Sequence, residues 1–201
     1  MMPTTRRRPQ RPLGERRYRK VFVIAVEGIK TEPQYFRLFE RPSIIRVHCL
    51  KGGNGSAPPQ VLKRMAAHLK EAGIARSDEA WLVVDKDEWT DDQLRQLHYW
   101  SNQASNRGLA LSNPKFEYWL LLHFEDGRAI TSSRDCSERL KRHIPEYDKG
   151  IDGRSFPRDR MIEAVRRAKQ RDNPPCEDWP RSIGSSTVYR LVERILEDQA
   201  E

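Results

Sequence analysis

The chain opens its pattern with Val21-Phe22-Val23-Ile24-Ala25-Val26, an unbroken apolar and largely β-branched run. Such a run reads as a strand buried on both faces, as in a parallel sheet. Thr31 then stands at an N-cap position, with Gln34 as its capping-box partner and Pro33 tolerated in the first turn. Tyr35, Phe36, Leu38 and Phe39 would pack that helix down. Ile44 to Leu50 gives a second strand, followed by the loop Gly52-Gly53-Asn54-Gly55-Ser56 and by Pro58-Pro59. Val61, Leu62, Met65, Ala66 and Leu69 recur at helical spacing, and Gly73 marks the stop. Ala80 to Val84 is a third buried strand that runs into Asp85-Lys86-Asp87-Glu88. Thr90, with Gln93 at the capping-box distance, begins another helix, and Arg107 to Leu111 is a fourth strand.

Four strands alternating with helices predict an α/β fold: a doubly wound, mainly parallel sheet with right-handed crossovers. Pro114 opens a short helix through Phe124, with Asn113 as its cap. Helical patterns near 135–144, 158–170 and 187–198 follow, while 145–157 reads as loop and 172–185 as too punctuated for regular structure. The pattern divides the chain into an α/β core over 20–125 and a helical C-terminal extension over 126–201 packed on it.

Charge adds a third part. The 201 residues carry a net +8, but residues 1–20 hold eight Lys/Arg against Glu15 alone, which leaves +7 there and +1 in all the rest. Pro3, Pro9, Pro12 and Gly14 deny this segment a regular helix, so residues 1–19 read as a mobile basic arm. Arg6, Arg7, Arg8, Arg16 and Arg17 suit a phosphate backbone, whose contacts are independent of sequence. A solubilising tail is the other reading. Cys49, Cys136 and Cys176 are odd in number and scattered, which fits reduced thiols in a cytoplasmic protein and argues against a disulfide framework or a zinc knuckle. No apolar run approaches the roughly 20 residues that span a bilayer, and neither a membrane association nor a secretory signal is expected.

Chemistry is expected where strands end, since ligands of open parallel sheets bind beyond the strands' carboxyl ends. There Val26 runs into Glu27, and Val84 runs into Asp85, Asp87 and Glu88. Asp85 and Asp87 are two apart, so in an extended segment both point to one side. Carboxylates held together stay ionised at neutral pH when a cation intervenes, and otherwise one takes up a proton. Mg²⁺, a hard ion that favours oxygen ligands, is the natural guest, with Mn²⁺ as a substitute. The plain alternative is that Asp87 and Glu88 solvate a loop and complement the next helix's dipole. Lys30 lies near a helix N-terminus, where a phosphate is welcome. Glu117 sits in the first turn of the Pro114 helix, as an acid would on dipole grounds alone. His123 falls on that helix's apolar face and reads as a core histidine. The Gly52–Ser56 loop could approach a phosphate, and Trp89 could stack a base, but packing or simple connection explains either. Gly28-Ile29-Lys30-Thr31 lacks the upstream glycine of a P-loop.

Three stretches carry a family resemblance: Glu27-Gly28-Ile29-Lys30-Thr31-Glu32-Pro33, Asp85-Lys86-Asp87-Glu88, and the long Ser112-Asn113-Pro114-Lys115-Phe116-Glu117-Tyr118-Trp119-Leu120-Leu121-Leu122-His123-Phe124. With Ser186-Thr187-Val188-Tyr189-Arg190-Leu191-Val192 near the end, the chain resembles the RloB-like family over nearly everything after the basic arm. Gly184-Ser185 stands where an Asn-Pro lead-in is expected. The resemblance implies a Toprim-like fold, with Glu27 as general acid/base, Asp85 and Asp87 holding Mg²⁺, and Glu88 and Glu117 as auxiliaries. It also implies a prokaryotic defence setting beside an ATPase. The expectation is a metal-dependent nuclease that cleaves nucleic acid, with tRNA and DNA as candidate substrates, as the effector of a phage-defence system with an ATPase partner; the oligomeric state, a homo-oligomer included, stays open. The rival is a latent or inactive module whose task is to bind the ATPase. A topoisomerase would need a nucleophilic tyrosine on a substantial further domain, for which 201 residues leave little room.

Overall fold

The computed structural model describes residues 19–52, 58–86 and 89–200. Asp87, Glu88 and Arg6, Arg7, Arg8, Arg16 and Arg17 of the N-terminal arm lie outside the described residues, as does most of the Gly52–Ser56 loop. Strands β1 (Lys20–Val26), β2 (Ile45–Leu50), β3 (Glu79–Asp85) and β4 (Arg107–Asn113) form the parallel sheet that the apolar runs predict. Helices α1 (Thr31–Arg37), α2 (Pro58–Glu71) and α3 (Asp91–Ser101) connect them. Beyond β4 come α4 (Phe116–Leu121), α5 (Ser133–His143), α6 (Arg158–Arg171), β5 (Ser185–Ser186) and α7 (Val188–Asp198).

The strand order is β2-β1-β3-β4-β5. From β1 the chain steps outward to β2, then crosses back over β1 to reach β3 and continues to β4. The direction of travel reverses between β1 and β3, and a crevice opens at the carboxyl ends of strands that part in this way. Alternate side chains of each strand feed opposite faces. Phe22, Ile24, Val26, Trp81 and Val83 join α1 and α4–α7 in the larger core, whereas Val23, Ala25, Leu82, Val84 and Leu111 join α2 and α3 in the smaller. Residues of α5, α6 and α7, among them Leu140, Ala164, Leu191 and Ile195, are fully buried in the larger core beside Tyr35 and Trp119.

Three local expectations give way to tertiary partners. Thr31 and Gln34 form no capping box: Lys30 takes the N-cap position without a side-chain bond. Instead the Thr31 hydroxyl donates to the Lys149 carbonyl at 2.8 Å, and Gln34 Oε1 accepts the Ile151 N–H at 2.8 Å. Asn113 does not cap α4. It is the last residue of β4, its amide donates to the Arg181 carbonyl, and Lys115 holds the cap position of a helix that ends at Leu121. The 172–185 stretch is not wholly irregular, because Ser185 and Ser186 pair antiparallel with Asn113 and Ser112 as a fifth strand. Gly184, at φ +79°, makes the turn into it and donates its N–H to the Asn113 carbonyl, a conformation open to glycine at no steric cost. The Thr90–Gln93 capping box forms as its spacing predicts.

Candidate active site

A cleft of about 510 Å³ opens at the carboxyl ends of β1 and β3. Glu27, Lys30, Glu32, Asp85, Glu117, Asp148 and Lys149 line it, five carboxylates against two lysines. The register explains how two of the acids meet. Val26 pairs with Val83, so Glu27 follows one rung beyond the last pair of β1 and β3, next to the end of the strand that Asp85 terminates. Asp85 shares a strand face with Trp81 and Val83, and therefore looks toward the layer of α1 and α4. Those two helices bring Glu32 and Glu117 in their first turns.

The backbone around Glu27 is closely packed. Arg64, from α2, donates from Nη2 to the Val26 carbonyl at 2.6 Å. The Gly52 N–H donates to the Gly28 carbonyl at 3.2 Å, and a β-carbon on Gly52 would overlap the Glu27 carbonyl oxygen. A β-carbon on Gly28 would overlap the Glu32 carboxylate, which accepts the Gly28 N–H at 3.0 Å. Gly52 is thus required by close approach to backbone, while a side chain at Gly28 would displace the Glu32 carboxylate, and both positions bear on an acid of the cleft.

The electrostatics are uneven. Burial pushes the Asp85 carboxyl well above its ordinary range, and the charges of Glu27, Glu32 and Glu117 push it further, while the Phe116 N–H at the start of α4 pulls the other way. Glu32 is raised as well, by burial first and then by Glu117, against hydrogen bonds from its own N–H and that of Gly28. Burial would raise Glu117 too, but Lys149 overrules it and holds the carboxyl below its usual range. Lys149 Nζ stands 2.8 Å from Glu117 Oε1, and the Tyr147 hydroxyl donates to the same oxygen at 3.2 Å. Residues 147–151 cross the mouth of the cleft and are held to α1 by Thr31, by Gln34 and by Lys30, whose Nζ donates to the Asp148 carbonyl at 2.8 Å.

Glu27, Lys30, Asp85 and Glu117, singled out in the sequence, therefore line one cleft. Among the described residues no group of three Asp, Glu, His or Cys side chains is arranged to hold a metal ion. The chemistry of the donor set nevertheless fits a hard cation: Glu27, Glu32, Asp85 and Glu117 all offer carboxylate oxygens, and the rise at Asp85, due first to burial, is increased by the charges of the other three. Glu32, Tyr147 and Lys149 received no role from the sequence. For Glu32 there was a signal, a second acid five residues after Glu27, but a first-turn acid has a sufficient reason in the helix dipole. For Tyr147 and Lys149 there was none, since they lie 30 and 32 residues from Glu117 in an irregular segment.

His123 is buried, with Nδ1 at 3.1 Å from the Trp119 carbonyl and Nε2 at 3.0 Å from the Tyr35 hydroxyl. Nδ1 faces carbonyls and so donates, and burial keeps the ring neutral, which leaves Nε2 to accept from the Tyr35 hydroxyl among Tyr35, Trp119 and Phe156. It lines no part of the cleft. Trp89 packs, partly buried, against the smaller core.

No helix among the described residues is long and apolar enough to cross a membrane. Neither a curated protein nor a solved structure matches the chain. A family model described as RloB-like protein matches residues 22–195, from β1 to α7 and across every residue that lines the cleft, and the chain thus belongs to the RloB-like family.

Proposed function

We propose that this protein is a Toprim-type, metal-dependent nuclease that cleaves phosphodiester bonds of nucleic acid and serves as the effector of a phage-defence system with an ATPase partner. The observation that carries the cleavage reading is the surroundings of Asp85, a half-buried strand-end carboxylate set among Glu27, Glu32 and Glu117 at the point where the chain reverses across the sheet. A structural acid gathers donors. This one gathers acids, and such an arrangement is characteristic of functional sites.

Asp85 and Asp87 would hold Mg²⁺ or Mn²⁺, with Glu117 and Glu88 as auxiliary ligands. A bound ion would supply Lewis-acid polarisation of the phosphate and stabilise charge on the departing oxygen. Glu27 would accept the proton of the attacking water at its carboxylate and return one to the leaving group. Its backbone is braced by Arg64 at Val26 and by Gly52 at Gly28, which favours a fixed carboxylate. Lys30, at the rim, is suited to a substrate phosphate, and the basic arm to the backbone beyond the cleft. The defence setting and the ATPase partner rest on the family resemblance.

The test is purified protein incubated with Mg²⁺ or Mn²⁺ and a panel of DNA, RNA and tRNA. Metal-dependent cleavage is expected, with losses of about 10²-fold or more in Glu27→Gln and Asp85→Asn. Cleavage that survives both substitutions rules out these roles. A latent module is the second reading, favoured by the Lys149–Glu117 ion pair, which already gives one cleft acid a cation. Co-purification with the neighbouring ATPase separates the two: activity absent alone and gained in the complex supports a latent nuclease, whereas a stable complex inactive in every state supports the module.

A further inference from the structure

We propose that Lys149 is the exchangeable cation of the cleft: it neutralises Glu117 while no divalent ion is bound, and it engages a substrate phosphate once one is. The inference rests on the metal-dependent reading of the same cleft and assigns that reading a phosphate-binding residue. Three observations carry it. The ion pair is asymmetric, because the Glu117 side chain is 5% exposed whereas that of Lys149 is 64% exposed. The acid is fixed in the wall and the ammonium comes to it from solvent on a flexible four-carbon stem.

The backbone beneath the lysine is specialised. Lys149 has φ +60°, in the left-handed region that non-glycine residues seldom adopt, although Gly150 is the next residue and would adopt it freely. Strain of this kind persists where the surroundings over-determine it, and it clusters at ligand clamps. The surroundings here are explicit. The Lys149 carbonyl accepts the Thr31 hydroxyl, the Asp148 carbonyl accepts Lys30, and the Ile151 N–H donates to Gln34. The segment is pinned so that the one residue with a strained backbone directs its ammonium to Glu117.

Charge completes the argument. Asp85 and Glu32 also act on Lys149 across the cleft, so its ammonium faces three of the cleft's acids. A divalent ion drawn to the same acids competes with it directly, since two cations cannot share Glu117 without repulsion. Once displaced, Lys149 remains tethered at the cleft mouth by its anchored backbone, where its ammonium is placed to meet a phosphate of an entering substrate.

The experiment compares wild-type protein with Lys149→Met, which removes the charge, and Lys149→Asn, which removes it while tolerating a left-handed backbone. Mn²⁺ affinity is measured by calorimetry without nucleic acid, and binding of short fluorescein-labelled single-stranded DNA and RNA is measured in Ca²⁺. Circular dichroism checks the fold, and Lys149→Arg, which keeps the charge, is expected to behave as wild type. Both neutral variants are expected to bind Mn²⁺ about tenfold more tightly, as removal of a like charge a few ångströms away requires, and the labelled strands about tenfold more weakly. If either affinity is unchanged in the neutral variants while the wild type binds Mn²⁺, the exchange is overturned and the nuclease reading stands. If neither wild type nor variants take up Mn²⁺, both fall. If only the variants take it up, Lys149 is a permanent occupant of the cation site and the exchange is overturned.

Discussion

Glu79 and Asp85 lie on the same face of β3, six residues apart, in opposite electrostatic surroundings. Glu79, at the start of the strand, accepts Lys20 Nζ at 2.8 Å, the Trp81 indole N–H at 2.8 Å and Arg194 Nη2 at 2.7 Å. Burial would raise its carboxyl, but those three donors hold it below the ordinary range. Asp85, at the other end, is raised by burial and by three further acids. One strand therefore carries a carboxylate that stabilises the fold and another that strains it. Neutralising them should have opposite effects in metal-free protein. Glu79→Gln is expected to lower stability by about 2–4 kcal/mol, because Lys20 and Arg194 lose a buried partner. Asp85→Asn is expected to raise it by about 1 kcal/mol while abolishing activity. Urea melts at pH 7.5 check both signs.

Gly52→Ala should damage the cleft rather than the core. The added methyl meets backbone, the Glu27 carbonyl, and a backbone group cannot swing aside as a side-chain tip can. The expected cost is about 1–3 kcal/mol, the usual range for an overpacked site. A drop in melting temperature with a concurrent fall in Mn²⁺ affinity would show that Glu27 has been displaced.

His123 makes the protein acid-sensitive in a defined window. Burial, foremost, pushes its pKa down to about 3, below the value of about 6.5 that it regains on unfolding. Between those values the unfolded state binds the extra proton. The stability that neutral His123 contributes is thus complete above about pH 6.5 and is lost as pH falls toward 3. The slope from this residue approaches about 1.4 kcal/mol per pH unit. Chemical denaturation at pH 7.5, 6 and 5 should show it, and His123→Gln should flatten the profile while lowering stability at pH 7.5.

Gln34→Ala should free the segment at the cleft mouth. Its side chain holds the Ile151 N–H at 2.8 Å, and the loss of one such bond costs about 1 kcal/mol. Hydrogen exchange should accelerate across 147–151 and remain unchanged in β1 and β3. Protection retained at 147–151 would mean that Thr31 and Lys30 hold the segment unaided.

The sheet was legible because its four parallel strands are apolar runs bounded by turn residues, and burial on both faces leaves that record in composition. Glu27 and Asp85 were legible for a related reason, since the acids that end such runs must sit at the sheet's carboxyl edge. Local reasoning failed where a distant partner outbid a nearby one. Thr31 and Gln34 have ideal cap spacing, yet their side chains serve Lys149 and Ile151. Asn113 extends β4 because Ser185 and Ser186 pair with its end, and two serines leave no hydrophobic trace of a strand. Lys149 was beyond reach for the same reason, as its significance lies entirely in Glu117, 32 residues away.

Helix α7 bears on how the protein comes into being. It supplies Val188, Leu191, Val192 and Ile195 to the larger core and, through Arg194 and Asp198, engages Glu79 and Lys20 at the opposite end of the sheet from the cleft. On the ribosome the acids of the cleft are all synthesised well before this helix, which supplies four fully buried side chains to the larger core. Nascent or prematurely terminated chains should therefore lack an assembled cleft. If the protein cuts nucleic acid as proposed, that order of events would confine the hazard to chains made through α7.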